Sequence, residues 1–226
     1  MGDQAESGRV SEDEKTEEQQ RADAERARKL FAGSCDFVFG ATDPNDLPPA
    51  NLPEIAFVGR SNAGKSSLIN ALTNRSALAR VSHTPGRTRQ INFFELGKRV
   101  MLVDLPGYGY AKISKAEKMA WDVLITTYLR GRPSLRRVVL LVDARRGIME
   151  SDEEVLTLLD KSAMSTLVTL TKIDQLKPAE VQAAVAEANA KAAKHTAAYP
   201  EVFVTSSHEK RGLDPLKLNL LLLAEA

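Results

Sequence analysis

Little in the 226-residue chain is aromatic: 5% of its residues, with one tryptophan, and there is a single cysteine. One thiol excludes an internal disulfide, and Cys35 has no partner at metal-ligand spacing, so a quiet, partly buried thiol is expected. The formal net charge is only +1, so no global field points to nucleic acid or to a membrane. No apolar run approaches the roughly 20 residues of a membrane span; VVLLV and LLLLA are core-sized. The opening MGDQAESGR has no apolar signal core, which makes a cytoplasmic protein without a membrane partner the expectation. No internal repeat is visible.

What is present is ordinary for a globular protein, 43% hydrophobic and 27% charged, at a length that suits one domain with appendages. The charge is uneven. Met1 to Lys29 carries nine acidic and six basic side chains, net −3, leaving about +4 for the rest. Residues 1–28 are nearly free of large apolar groups and read as a disordered or fraying-helical charged tail. Residues 29–53, with PNDLPPANLP, read as an irregular lead-in on the domain edge.

Residues 54–226 read as the domain itself, an alternation of elements. IAFVG predicts a buried strand and KSSLINALTN the helix after it. QINFFEL and RVMLVDL predict a hairpin about Gly97 and Lys98. SKAEKMAWDVLITTYL predicts a helix with Ser114 and Glu117 as a capping box, and there Trp121 shares helical spacing with Met119, Leu124 and Ile125 as core. VVLLVD is a strand, and SDEEVLTLLDKSA a helix with Ser151 and Glu154 as its box. TLVTLTK is a strand, followed by a helix with Pro178 in its first turn. VFVTSS is the last strand, and Asp214 caps the closing helix. The pattern predicts a three-layer α/β fold: a mainly parallel six-stranded sheet with one antiparallel strand and helices on both faces.

The chemistry-bearing motifs sit at the carboxyl ends of these strands, where open α/β sheets bind ligands. GRSNAGKSS (Gly59, Arg60, Ser61, Asn62, Ala63, Gly64, Lys65, Ser66, Ser67) fits the phosphate loop G-x-x-x-x-G-K-[ST]. Its glycines let backbone N–H groups turn in on phosphates at a helix start. Lys65 would reach the β- and γ-phosphates, and the Ser66 hydroxyl would ligate Mg²⁺. DLPG (Asp104, Leu105, Pro106, Gly107) follows on the neighbouring strand. Asp104 would hold Mg²⁺ through water, and the Gly107 N–H would sense a γ-phosphate. TKID (Thr171, Lys172, Ile173, Asp174) offers a carboxylate that accepts two hydrogen bonds from guanine and would be left unpaired by adenine. The Lys172 stem would cover one face of the base. TSS (Thr205, Ser206, Ser207) ends the last strand, where N–H groups meet a base carbonyl.

This ordered set resembles a small Ras-like GTPase of the translation-factor class. The loop N-A-G-K-S-S, the run DLPGYGYAK, the intervening SHTPGRTRQINFF and the TK-x-D form together resemble the EngB family of bacterial GTP-binding proteins, from about Leu47 to the end. The resemblance implies a phosphate-loop GTPase (G) domain that binds GTP, GDP and Mg²⁺. It also implies a role in assembling the large ribosomal subunit, with rRNA and ribosomal proteins as partners, and a requirement in normal cell division and septation. Within Gly86, Arg87, Thr88, Arg89 and Gln90, Thr88 would be the first-switch ligand of Mg²⁺ and a transition-state contact beside Lys65; Thr84 is the competing candidate. By the same resemblance Asn62 is a candidate ligand for K⁺.

Two departures from the general GTPase pattern have consequences. Tyr108 stands where a glutamine usually orients the attacking water, so slow hydrolysis is expected. Thr171 stands in place of asparagine, which suggests modest nucleotide affinity. A phosphate-loop kinase or ATPase would need a lid and an adenine pocket in place of TKID. A membrane-remodelling or filament GTPase would need a helical stalk, a basic amphipathic helix or a lipidation motif. A monomer is expected. His83 reads as exposed, His195 as suited to a helix-end dipole, and His208 as a neighbour of the base site. Arg130, Arg132, Arg136, Arg137, Arg145 and Arg146 read as solvated surface. Arg75, Arg80, Arg87, Arg89, Lys112 and Lys115 lie in or near the switch segments, as surface or as an RNA-facing patch.

Overall fold

A computed structural model of the chain describes residues 5–76, 78–79, 90–109 and 115–224. Among them β1 (Cys35–Ala41), β2 (Glu54–Gly59), β3 (Ile91–Leu96), β4 (Val100–Asp104), β5 (Leu135–Asp143), β6 (Thr166–Thr171) and β7 (Phe203–Val204) form one sheet in the order β1-β3-β4-β2-β5-β6-β7. The helices are α1 (Ala5–Ala32), α2 (Lys65–Leu72), α3 (Lys115–Gly131), α4 (Glu150–Lys161), α5 (Pro178–Ala192) and α6 (Leu213–Ala224). β3 is antiparallel to both its neighbours, β1 and β4, while the pairings of β2 with β4 and β5, and of β6 with β5 and β7, are parallel. One strand therefore runs against the rest, as the sequence implies.

The central strands are buried on both faces because their residues alternate between two cores. Ala56, Val58, Val138, Leu140 and Val142 meet Leu124, Tyr128, Leu156 and Leu159 of α3 and α4 on one side. Ile55, Phe57, Val139 and Leu141 meet Leu68 and Leu72 of α2 and Leu216 and Leu220 of α6 on the other. The result is three layers.

Two boundaries differ from the sequence expectation. Residues 5–32 form a helix, where a disordered or fraying-helical tail is expected only as far as residue 28. Its last turns bury Ala27, Leu30 and Phe31 in the same core as α6; one such phenylalanine stabilises by about 2 kcal/mol. Upstream, pairs of Arg21 with Glu17 and Arg26 with Asp23 lie at helical spacing, each supplying a few tenths of a kcal/mol, about 0.3. The lead-in is likewise not irregular throughout: β1 is a seventh strand, paired from Cys35 opposite Leu96 to Ala41 opposite Ile91. Its ends are buried while Phe37, Val38 and Phe39 stay exposed, which weakens the alternation that marks a strand. Cys35 is buried, and that burial pushes its thiol up to about 11, a quiet group as expected.

Smaller corrections follow from local bonding. α4 begins at Glu150 and is capped at Met149, two residues ahead of the expected Ser151 cap, where the Asp152 carboxylate accepts the Met149 N–H at 2.9 Å. α6 begins at Leu213, so Asp214 lies inside its first turn. α5 starts at Pro178 as expected, with Glu180 accepting the Lys177 N–H at 2.7 Å. On α3, Leu124 and Ile125 are core but Met119 is 67% exposed; Ser114 and the side chains of Glu117 and Trp121 lie outside the described residues.

Arg132 is no surface arginine. Its guanidinium sits on the buried Glu54 carboxylate at 2.5 Å and donates to the Pro48 carbonyl at 2.6 Å. The Tyr128 hydroxyl donates to the same carboxylate at 2.8 Å. Arg137 is half-buried too, donating to Asn219 at 2.5 Å and lying over the Tyr199 ring. Among the described residues no helix is long and apolar enough to cross a membrane.

Candidate functional site

β2 ends at Gly59, and the chain then turns into α2 through Asn62 (φ 65°) and Gly64 (φ 97°). At Gly64 the left-handed backbone costs glycine nothing, and it delivers Lys65 and Ser66 into the first turn of the helix. The DLPG segment docks along this loop. The Ser61 N–H donates to the Tyr108 carbonyl at 2.9 Å, and the Tyr108 N–H to the Gly59 carbonyl at 3.4 Å. These bonds make a parallel bridge between Arg60 and Tyr108, prolonging the β2–β4 pairing beyond both strands. A side chain at Gly107 would meet the Lys65 Nζ at 3.1 Å and the Ser61 nitrogen at 3.3 Å, so any Cβ there would have to push the lysine or the loop aside by a few tenths of an ångström.

Asp104 closes β4 in the same place. It is buried, its Oδ1 has no hydrogen-bond partner among the described residues, and burial pushes its carboxyl up to about 6 against the opposing pull of Lys65. An orphaned buried carboxylate oxygen near an ammonium, with a hydroxyl from Ser66 on the adjoining helix start, is a donor set that fits a hard, oxygen-seeking divalent cation and its water.

The TKID segment grips the phosphate loop from the other side. The Thr171 hydroxyl donates to the Ala63 carbonyl at 2.6 Å. Lys172, itself left-handed (φ 60°), donates from Nζ to the Asn62 carbonyl at 2.5 Å and pairs with Asp143 Oδ2 at 3.0 Å. Ile173 is core; its N–H faces the Thr205 carbonyl at 3.4 Å. Asp174 lies half-buried in the short turn Ile173–Gln175. Beyond β7 the Thr205 hydroxyl donates to the Leu170 carbonyl at 3.0 Å, and Ser206 accepts the Glu209 N–H at 3.0 Å. Thr205 and Ser206 are fully buried, which leaves Ser207 to face the cleft.

That cleft, of about 610 Å³, is walled by Gly64, Ser67, Thr171, Lys172, Asp174 and Ser207, with His208 beside them as the sequence suggests. Three of the four motifs therefore border one continuous depression, and the fourth, DLPG, abuts Lys65 at the loop's far side. Leu105 is a core side chain and Pro106 is buried, so they position the segment's backbone. Gln90 does not line the cleft: its amide donates to Asn92 at 2.7 Å and packs over Gly40 at the sheet edge. Gly86, Arg87, Thr88 and Arg89 lie outside the described residues, as do His83, Thr84, Arg80 and Lys112.

Sequence reading passes over two participants, Asp143 and Asp152. Asp143, the last residue of β5, holds Lys172 and also accepts the Arg145 guanidinium at 2.6 Å. Burial works against its ionisation, but the bonds from Arg145 and Lys172 outweigh that and hold the carboxyl well below the usual range. A carboxylate at the carboxyl end of a central strand is the signal that could have found it. Asp152, fully buried, accepts the Tyr108 hydroxyl at 2.5 Å. His195 is no helix-end dipole partner: its Nδ1 and Nε2 lie 2.6 Å from Asp160 and 2.8 Å from Glu153.

A parallel sheet with a phosphate loop at its carboxyl edge, a docked DLPG and a base-sized cleft closed by TKID defines the class of phosphate-loop GTPases. Comparison with known proteins agrees. The family model described as 50S ribosome-binding GTPase matches residues 54–172, and that of the elongation factor Tu GTP binding domain matches residues 125–225. The chain is 51% identical over 199 residues to the probable GTP-binding protein EngB of Gluconobacter oxydans, covering 88% of each chain. It is 50% identical over 213 residues to that of Rhodospirillum rubrum, covering 92% of each. A crystal structure of a probable GTP-binding protein engB superposes with a TM-score of 0.60 at 25% identity, covering 76% of this chain and 98% of the other. The chain belongs to the EngB family of GTP-binding proteins, and its activity is that of a GTPase.

Proposed function

We propose that the chain is a slow, Mg²⁺-dependent GTPase switch that acts in assembly of the large ribosomal subunit, in the cytoplasm and as a monomer, and that normal cell division and septation depend on it. The observation that carries the reading is how closely the Gly107 backbone approaches the phosphate loop: a Cβ placed there would lie 3.1 Å from the Lys65 Nζ and 3.3 Å from the Ser61 nitrogen. A γ-phosphate on Lys65 has to be accommodated against the DLPG backbone, so its presence or loss biases that segment.

In this reading Lys65 and the loop N–H groups hold the phosphates, and the Lys172 stem covers the base while the Asp174 carboxylate accepts from its edge. Ser66, Asp104 through water, and Thr88 would hold Mg²⁺, which supplies charge neutralisation at the phosphates. Tyr108 directs its hydroxyl into Asp152 and offers no group to orient a water, which supports a low intrinsic rate. Asn62 gives its carbonyl to Lys172, and its side chain is the candidate K⁺ ligand; hydrolysis in K⁺ against Na⁺ at equal ionic strength tests that part. Arg87 and Arg89 flank Thr88, so a nucleotide-ordered segment presents cations to rRNA phosphates.

The test is co-sedimentation with large ribosomal subunits. Association should be stronger with a non-hydrolysable GTP analogue than with GDP, and should weaken steeply as salt rises. Association indifferent to nucleotide would overturn the switch reading.

A further inference from the structure

Lys172 has to do two things at once in the cleft: donate to the Asn62 carbonyl and lay its stem along the base-side wall. A lysine side chain is a flexible four-carbon stem, and nothing in one hydrogen bond to a carbonyl fixes it. What fixes it is Asp143. The carboxylate is nearly buried, 9% exposed, and meets the Lys172 Nζ at 3.0 Å on Oδ2. The same carboxylate is itself held by the Arg145 backbone N–H at 3.1 Å, by Arg145 Nε at 2.8 Å and by Arg145 Nη2 at 2.6 Å. Strand pairing places Asp143 directly opposite Thr171, and the Ala144 N–H donates to the Thr171 carbonyl at 3.0 Å. The clamp is thus built into the sheet next to the strand that carries the base motif.

We infer that Asp143 is a positioning residue for nucleotide binding: with Arg145 behind it, it holds Lys172 in the one geometry that braces the phosphate loop at Asn62 and walls the base cleft. The inference rests on the reading that this cleft takes a guanine nucleotide. Asp143 makes no contact with the nucleotide itself and acts only through Lys172. Its loss therefore weakens GDP and GTP alike and leaves the guanine preference carried by Asp174 unchanged.

The experiment is a double-mutant cycle on the full chain, titrating a fluorescent GDP analogue into the parent, Asp143→Asn, Lys172→Met and the double variant, with inosine diphosphate as competitor. Asp143→Asn keeps the side chain's shape but not its charge. Losing one charge-assisted bond to Lys172 should weaken GDP binding roughly tenfold or more. Lys172→Met should cost at least as much, and the double variant no more than Lys172→Met alone. The GDP-to-inosine-diphosphate ratio should be the same in Asp143→Asn as in the parent. Additive losses would overturn the inference, as would a ratio that falls with Asp143→Asn, because either means the carboxylate acts on the segment as a whole. Should Asp143→Asn not fold, Arg145→Ala replaces it, and its loss too should vanish in the Lys172→Met background. A parent chain that fails to bind GDP would instead sink the reading of the cleft.

Discussion

Replacing Tyr108 with phenylalanine removes one hydroxyl and nothing else. The Tyr108 hydroxyl lies 2.5 Å from Asp152 Oδ1, and both side chains are buried. The other carboxylate oxygen keeps the Met149 N–H at 2.9 Å, so the start of α4 survives the change. What is lost is a hydrogen bond to a buried acid, about 2 kcal/mol for a charged acceptor. In a chain of this size that lowers the melting temperature by roughly 4–8 °C. The sign of the pH dependence follows from Asp152. Burial raises its pKa, while the bonds from Tyr108 and Met149 hold that rise back. Without the hydroxyl the folded pKa climbs further, so the deficit is full at neutral pH and shrinks as acid protonates the carboxyl. The tyrosine backbone carries the bridge to the phosphate loop, so loosening the ring should also speed hydrogen exchange at the Ser61 amide, whose acceptor is the Tyr108 carbonyl. Thermal unfolding from pH 5 to pH 8 and amide exchange measure the two effects. A deficit independent of pH, or an unchanged Ser61 amide, would refute the idea that Asp152 anchors the DLPG end.

Arg132→Met should destabilise by about 3–5 kcal/mol, because it strands the Glu54 carboxylate in the core, and adding Glu54→Gln should recover most of that loss in a urea titration; no recovery would mean the arginine matters only for packing. His195 has a folded pKa above the ordinary value: burial lowers it, but bonds to Glu153 and Asp160 outweigh that. Its contribution is then complete below about pH 6.5 and is lost as pH rises through the folded value. The stability gap between the parent and His195→Gln should accordingly narrow from pH 6 to pH 9, and a constant gap would exclude the ion pairs as its source.

The alternation of strand and helix was legible because each central strand is apolar on both faces and each helix follows a turn signal. Edges were not. β1 leaves Phe37, Val38 and Phe39 exposed, so its apolar residues follow no period, and PNDLPPANLP behind it reads as loop. α1 has no amphipathic stripe along most of its length and is held where three residues near its end find a core that the sequence cannot place. In the site, the motifs with fixed spacing could be read, whereas Asp143 and Asp152 could not, since an isolated aspartate gains meaning only from what the fold sets beside it. Arg132 failed for a related reason: its partner, Glu54, lies 78 positions away, so the solvated-surface reading was the natural one until the sheet joined them.

Thr171 shows how a departure from the commoner motif can leave the architecture intact. The expectation of modest affinity assumes that an asparagine's amide is missed at the base. In the structure this position faces the phosphate loop, where the threonine hydroxyl donates to the Ala63 carbonyl at 2.6 Å. The next residue, Lys172, donates to the next carbonyl back, that of Asn62, at 2.5 Å. Two successive carbonyls of the loop are thus held by two successive residues of the base motif, so cleft wall and phosphate loop form one braced unit on parallel strands β2 and β6. The DLPG segment is tied to β2 and the loop through backbone bonds, from the Leu105 N–H to the Phe57 carbonyl at 3.0 Å and between Tyr108 and both Gly59 and Ser61, and the Tyr108 hydroxyl reaches Asp152. The phosphate loop is therefore gripped by the base motif on one side and by the DLPG backbone on the other, so a change at either motif is transmitted to the loop between them.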